Sequence, residues 1–158
     1  LSNSNQMNLI PVVFIFYLTH LLTSCSDINS ASSLVSRNGL KYEINSQTPF
    51  TGQYIAYYNN GKKKTESNIA DGKENGLVTW WYENGQKELE ENYKFGKKTG
   101  LRTEWYQNGR KQSEQNYKYD KRDGLMITWD KDGNINGMKI YKNDVLAKKT
   151  GLKYGLYQ

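Results

Sequence analysis

Apolar and polar side chains alternate along short runs of this chain, and a glycine-containing turn separates each run from the next. In residues 76–82 (GLVTWWY) β-branched and aromatic residues predominate, and residues 86–93 (QKELEENY) follow after Asn84-Gly85. Alternation with a period of two predicts β-strands, and an Asn-Gly step between two such runs predicts a hairpin. We expect a tight turn at Asn-Gly, because both residues tolerate a positive φ, and a second turn around residues 94–99.

The same pattern recurs four times with a period of 24 residues. The units begin TGQYIAYYNNGKKK, NGLVTWWYENGQKE, TGLRTEWYQNGRKQ and DGLMITWDKDGNIN. Such a period predicts a stacked array in which each unit buries its apolar face against its neighbours. The predicted fold is all-β, an elongated single-layer antiparallel sheet of tandem hairpins over residues 40–146. Two series of glycines keep the spacing without an insertion and are assigned structural roles in the repeat: Gly52, Gly76, Gly100, Gly124 and Gly61, Gly85, Gly109, Gly133.

Alternation also assigns side chains to the two faces of the predicted sheet. The first strand of each unit forms columns of leucine, threonine and tryptophan, which include a ladder of Trp81, Trp105 and Trp129. The second strand sends Leu89 and Tyr93 to one face, and the recurring glutamates Glu66, Glu90 and Glu114 go to the other. We therefore expect one aromatic face and one mixed, charged face.

The tryptophan ladder allows two interpretations. A thin sheet without large aromatic residues would have almost no core, so packing is the favoured role, and a groove for a peptide or a sugar is the alternative. Trp80 belongs to the other face by alternation and breaks the polar pattern there, which makes it the first candidate contact residue. The full set of candidate binding residues is Trp80, Tyr82 and Tyr106.

The recurring residues resemble the MORN repeat, in particular the bacterial variant known as the YwqK-like antitoxin family. The resemblance covers about residues 40–146, and the antitoxin label implies neutralisation of a toxin by direct binding. The fourth unit departs from the pattern at Asp130 and Gly137, as is typical of a terminal repeat. In the second unit the residues that carry the resemblance are Gly76, Trp81, Tyr82, Asn84, Gly85, Tyr93 and Gly96.

The front of the chain predicts export and lipidation. Residues 9–22 (LIPVVFIFYLTHLL) have the length of a signal-peptide core and are shorter than the roughly 20 residues that a membrane span needs. The following Leu22-Thr23-Ser24-Cys25 resembles the lipobox of bacterial lipoproteins, in which the cysteine is acylated. We expect a signal peptide over residues 1–24, a lipidated Cys25 opening a flexible tether over 25–39, and a C-terminal tail or cap over 147–158. The predicted location is the membrane of a bacterial cell envelope.

The composition limits the kinds of functional site that the chain can contain. The net charge is +6, which is interpreted as solubility or as attraction to anionic headgroups or an acidic partner. His20 and Cys25 are the only histidine and cysteine, so the repeats lack Ser-His-Asp, Cys-His and His- or Cys-based zinc sites. We expect no enzymatic activity, cofactor, metal or nucleic-acid partner. The predicted function is a non-catalytic lipoprotein that binds a protein or an envelope polymer. Toxin neutralisation is the alternative, and carbohydrate binding is less favoured.

Overall fold

A computed structural model describes residues 30–31 and 33–150 of the chain, with side chains over residues 33–149. In this described part of the chain the regular elements are twelve strands: β1 Ser30–Ala31, β2 Val35–Arg37, β3 Leu40–Tyr42, β4 Gly52–Tyr57, β5 Lys63–Ala70, β6 Lys73–Trp81, β7 Lys87–Lys94, β8 Lys97–Trp105, β9 Lys111–Lys118, β10 Lys121–Trp129, β11 Ile135–Lys142 and β12 Val145–Thr150. Strands β4 to β12 pair antiparallel with their sequence neighbours in one open sheet; β1 adds in parallel to β4, and β2 and β3 form a separate hairpin. The predicted all-β array of tandem hairpins is confirmed.

Two kinds of turn alternate along the sheet. The turns that precede β6, β8, β10 and β12 have two central residues, both with positive φ, which matches the right-handed twist of the flanking strands. In β7–β8 the turn is Phe95-Gly96, with φ of 51° and 77°, inside the region where the second turn was predicted. The corresponding pairs in the other units are Asp71-Gly72, Tyr119-Asp120 and Asn143-Asp144.

The Asn-Gly turns differ from the prediction. Only the glycine has a positive φ, 94° at Gly85, and the hydrogen bonds from Tyr82 N–H to Gln86 O and from Gly85 N–H to Tyr82 O close a three-residue loop. The expected tight turn is present at these steps, but its asparagine does not adopt the positive φ that this residue tolerates. Asn84 uses its side-chain oxygen to accept from Gln86 N–H at 2.9 Å, so the glycine alone completes the reversal of the chain.

The register of the hairpins corrects the predicted faces. Trp80 lies opposite Leu89, and Thr79 lies opposite Glu90. Directly opposed residues share a face of the sheet. The recurring glutamates therefore lie beside the leucine, threonine and tryptophan columns, and Leu89 lies beside Trp80. The expected separation into an aromatic and a charged face is wrong, because the loop between the strands sets the register and alternation within one strand cannot reveal it.

We name the two faces by how they vary between units. The repeating face carries the same residue types at equivalent positions of the central repeats. The non-repeating face carries different types at most equivalent positions, the exception being the column of Tyr93, Tyr117 and Tyr141. The repeating face includes Leu77, Leu101, Leu125, Trp81, Trp105, Trp129, Glu66, Glu90 and Glu114, whereas the non-repeating face includes Ser67, Val78, Trp80, Leu89, Glu91, Arg102, Glu104, Ser113, Gln115 and Met126.

The most buried side chains lie on the non-repeating face. Val78 is 2 % exposed and Glu91 is 4 % exposed, although the sheet is a single layer. At the N-terminal end, Phe50 and Ile69 form a small apolar core against which Leu34 and Tyr54 pack. The ladder tryptophans are only half-buried. The most buried side chains therefore follow the non-repeating face, and the apolar core cluster at its N-terminal end is small.

At both ends, strands extend beyond the predicted array boundaries at residues 40 and 146. The hairpin of β2 and β3 begins within the predicted tether over 25–39, and Lys41 N–H donates to Gly72 O, which ties the hairpin to the first unit. At the other end β12 crosses the predicted boundary at residue 146 and extends the sheet. The predicted signal peptide over 1–24 and Cys25 lie outside the described residues, as do residues 151–158.

Candidate binding face

The tyrosine and asparagine of each WYxNG-type motif join one unit to the next. The Tyr82 hydroxyl donates to Trp105 O at 2.7 Å, and Asn84 Nδ2 donates to Gln107 O at 2.9 Å. Both acceptors are backbone oxygens in the following unit. The equivalent bonds run from Tyr58 to Trp81 O, Asn60 to Glu83 O, Tyr106 to Trp129 O and Asn108 to Lys131 O.

Two of the three candidate binding residues therefore have partners inside the sheet. The hydroxyl groups of Tyr82 and Tyr106 both donate to backbone oxygens of the next unit. Burial raises the pKa of Tyr82. The same rings line an open cavity of about 410 Å³ together with Gln107, Asn108 and Lys131. Each tyrosine thus connects two units through its hydroxyl group and also lines this cavity.

The fourth unit departs from the pattern at the tyrosine position. Asp130 stands at the tyrosine position, and its Oδ1 accepts from Asp132 N–H and from Asn134 N–H, both at 2.9 Å. These backbone hydrogen bonds, led by the one from Asn134, lower the pKa of Asp130. Asp130 thus makes its hydrogen bonds within the turn of its own unit.

The tryptophan ladder lies beneath lysine side chains on the repeating face. Lys87 Nζ lies 5.6 Å from the centre of the Trp105 ring and also forms an ion pair with Glu90. This Lys-Glu-Trp arrangement recurs with Lys63, Glu66 and Trp81 and with Lys111, Glu114 and Trp129. Its recurrence with the lysines and glutamates of the first three units identifies it as part of the repeat itself.

The centre of the non-repeating face holds a cluster of charged side chains. Glu91 accepts from Lys98 Nζ at 2.8 Å, Arg102 Nε at 2.6 Å and the Tyr93 hydroxyl at 2.6 Å. The Arg102 guanidinium also donates to Glu104. The guanidinium is therefore held between two carboxylates that come from different strands. We refer to these five residues as the Glu91 cluster.

Electrostatics fix the charges in the Glu91 cluster. Burial by itself raises the pKa of Glu91, but the hydrogen bonds from Lys98, Tyr93 and Arg102 outweigh it, and the net pKa lies below the ordinary value. Burial and the bond to Glu91 raise the pKa of Tyr93. The pKa of Glu104 is lowered in the same way by Arg102, against the effect of burial. All of these groups keep their charge or proton at neutral pH.

Trp80 lies at the edge of this cluster. It is half-buried and sits between Thr65 and Leu89 on the neighbouring strands. The prediction that Trp80 points away from the ladder agrees with the register. On the same face Gln115 is buried, and its Oε1 accepts no hydrogen bond from any described residue. The face thus combines accessible apolar surface with fixed charges and one unused acceptor.

Sequence reasoning missed the Glu91 cluster. Glu91 is one of three glutamates within residues 88–91, and its partners Lys98, Arg102 and Glu104 lie up to 13 residues further on. One signal was available: at the equivalent positions the other units carry serine, glutamine and lysine rather than glutamate. A departure from the repeat at a buried position marks a residue that the repeat does not require.

Two absences hold for the described residues. No group of three or more His, Cys, Asp or Glu side chains there is arranged to hold a metal ion. Within the same part of the chain, no helix has the length and apolar character required to cross a bilayer.

Comparison with known proteins identifies the family of the repeats. No curated protein shows significant sequence similarity to the chain. The family model for the MORN repeat variant matches four successive segments, at residues 50–71, 74–95, 98–119 and 122–143. These matches cover more than half of the chain and coincide with the four hairpin units and their inter-unit hydrogen bonds. The chain therefore belongs to the MORN repeat variant family.

Proposed function

We propose that the sheet is a non-catalytic binding module whose non-repeating face recognises a partner protein. The observation that carries this proposal is the contrast between the two faces. Stacking makes the same demands on every unit, so residues that serve stacking recur in each unit. Side chains that change from unit to unit on one face are not required for stacking, and they can specify a partner.

The chemistry of this face suits a protein interface. Trp80 and Leu89 offer half-buried apolar surface beside Arg102, and tryptophan and arginine are enriched among residues that dominate binding energy. The Arg102 guanidinium is already oriented by Glu91 and Glu104, so little conformational entropy would be lost on binding. A partner would meet a rigid arrangement of charge.

Membrane attachment through Cys25 is a second part of the proposal. It rests on the apolar run at residues 9–22 and on the lipobox-like Leu22-Thr23-Ser24-Cys25. A lipid-anchored chain would hold the sheet close to a bacterial membrane, where its partner would be an envelope protein. A toxin as partner rests on the resemblance to the YwqK-like variant alone, and an envelope polymer would be the alternative ligand.

Chemical cross-linking in the native cell tests the face. Wild type is compared with Trp80→Ala on the non-repeating face and with Leu101→Ala on the repeating face, after circular dichroism has shown that each variant folds. A protein that is cross-linked to wild type and Leu101→Ala but lost from Trp80→Ala supports the proposal. Equal cross-linking to all three, or loss only from Leu101→Ala, contradicts it.

The anchor is tested separately with Cys25→Ser. Membrane fractionation and intact mass should show an acylated, membrane-bound wild type and a variant that lacks both properties. An unprocessed wild type in the soluble fraction would refute the anchor and would leave the binding face unaffected.

A further inference from the structure

Two neighbouring turns on one edge of the sheet carry exposed aromatic side chains. Phe95 is 67 % exposed and Tyr119 is 61 % exposed, and their φ angles are 51° and 50°. The equivalent residues in the flanking turns are Asp71 and Asn143, which belong to the types most tolerant of a left-handed backbone. An aromatic residue at this position is strained and gains no burial in return.

The same two turns carry pairs of lysines. Lys94 lies opposite Lys97, and Lys118 lies opposite Lys121; all four side chains are exposed. Like charges placed directly opposite each other destabilise a hairpin. None of the ion pairs in the described part of the chain includes these lysines. The flanking turns avoid the repulsion, since they pair Ala70 with Lys73 and Lys142 with Val145.

We propose that these two turns bind an acidic segment of a partner protein, one that carries carboxylates interspersed with apolar side chains. We call the surface, formed by residues 94–97 and 118–121, the aromatic turn pair. Strained and repulsive local features persist where function requires them, and here both kinds coincide in the same two turns. Carboxylates of the segment pair with the lysines, and its apolar side chains contact the two exposed rings.

The size of the aromatic turn pair points to a short segment. The two turns are separated by two inter-strand spacings, or about 10 Å, so an extended segment of about six residues covers both. The flanking turns present Asp71 and Asp144, which bound the cationic surface on either side, and Asp120 within the surface uses its carboxylate to accept from Lys98 N–H at 2.8 Å. A flat anionic membrane would meet those carboxylates as well, whereas a short segment would not.

This surface is separate from the face proposed above. Tyr93 and Lys98 lie on the non-repeating face, so the adjacent Lys94 and Lys97 lie on the repeating face. The two proposals can therefore fail independently. Loss of binding at the aromatic turn pair would leave the proposed role of Trp80 in partner recognition untouched.

Nuclear magnetic resonance tests the proposal with a defined probe. The ¹⁵N-labelled full chain is titrated with the synthetic peptide Glu-Leu-Glu-Glu-Leu-Glu, blocked at both ends. Saturable amide shifts should centre on the aromatic turn pair and disappear in Lys97→Glu/Lys121→Glu, but not in the charge-matched double control Lys64→Glu/Lys131→Glu, whose exposed side chains lie on the opposite edge. Absent shifts, shifts centred elsewhere, or binding only to phosphatidylglycerol vesicles would overturn the proposal.

A second variant separates binding from folding. Phe95→Asn/Tyr119→Asn removes the rings and places a residue tolerant of positive φ in both turns, so the melting temperature should rise. The affinity for the peptide should fall about tenfold, since the aromatic contacts are lost. The control Asp71→Asn should change neither property. Unchanged peptide affinity in the double variant, at any melting temperature, would overturn the proposal.

Discussion

The asparagine of the WYxNG motif offers a direct test of how the units are held together. Asn84 makes two side-chain hydrogen bonds: its Oδ1 accepts from Gln86 N–H at 2.9 Å, and its Nδ2 donates to Gln107 O in the next unit at 2.9 Å. Each such bond contributes about 0.5–1.5 kcal/mol net. Replacement of Asn84 by alanine should therefore lower the free energy of unfolding by about 1–3 kcal/mol.

The fourth unit supplies a matched control at the equivalent position. Asp132 is 86 % exposed at its side chain, and its ion-pair contact, to Arg110, is long at 3.7 Å. A pair of this kind contributes about 0–1 kcal/mol. Asp132→Ala makes the equivalent truncation at a side chain that forms neither the bond within the turn, which Asp130 accepts instead, nor a bond to a following unit. The difference between the two variants therefore measures the contribution of the inter-unit bond and the bond within the turn.

Urea denaturation followed by tryptophan fluorescence is the assay. With a denaturant slope of about 2 kcal/mol per M, the midpoint for Asn84→Ala should fall by about 1 M, and that for Asp132→Ala by less than half as much. If both variants lose the same stability, the inter-unit role of the asparagine is refuted. A changed slope would instead indicate that the units no longer unfold together.

Three further predictions concern the packing and charge of the sheet. Gly72→Ala would place a Cβ 2.9 Å from Leu40 Cβ at a φ of 77°, so its melting temperature should fall well below that of Gly39→Ala, which has a similar φ of 75° and open space; equal losses would contradict this. The pKa of Glu91 is lowered in the folded state, so its contribution to stability is present above the ordinary value of 4.5 and is lost as the pH falls through the folded pKa. Glu91→Gln should thus flatten the decline of stability as the pH falls below 4.5, and an unchanged decline in urea titrations would show that other carboxylates cause it. Trp105→Ala should destabilise the protein by about 2–3 kcal/mol in the same assay, less than for a fully buried tryptophan, because the ring is half-buried; a loss under about 1 kcal/mol would show that the ladder does not contribute to packing.

Much of the architecture was predictable because its signals are local. Gly85 with its equivalents, spaced 24 residues apart, marked every loop of one kind, and alternation placed Trp80 on the opposite face from Trp81. The turn type was not predictable from Asn-Gly alone. That dipeptide fits a two-residue turn and a three-residue loop, and the hydrogen bond from Gln86 N–H to Asn84 selects the second.

The candidate face was harder to predict. Glu91 and Arg102 meet because β7 and β8 pair in one particular register, and that register depends on the turn between them. The hydrophobic pattern did not indicate that Phe95 and Tyr119 would combine a strained backbone with an exposed ring. Their significance depends on a positive φ and on exposure, which are properties of the folded chain.

The sequence by itself determined that this chain is a MORN-type array, because each hairpin is specified by residues within a few positions of one another. The tertiary structure alone decided which side chains share a face, which hydroxyl and amide groups reach the next unit, and which charges are buried together. Alternation fixes the orientation of a side chain relative to its own strand. The relation between strands is fixed by loop conformation and by hydrogen bonds across some 23 residues, as from Tyr82 to Trp105, and these exist only once the units have stacked.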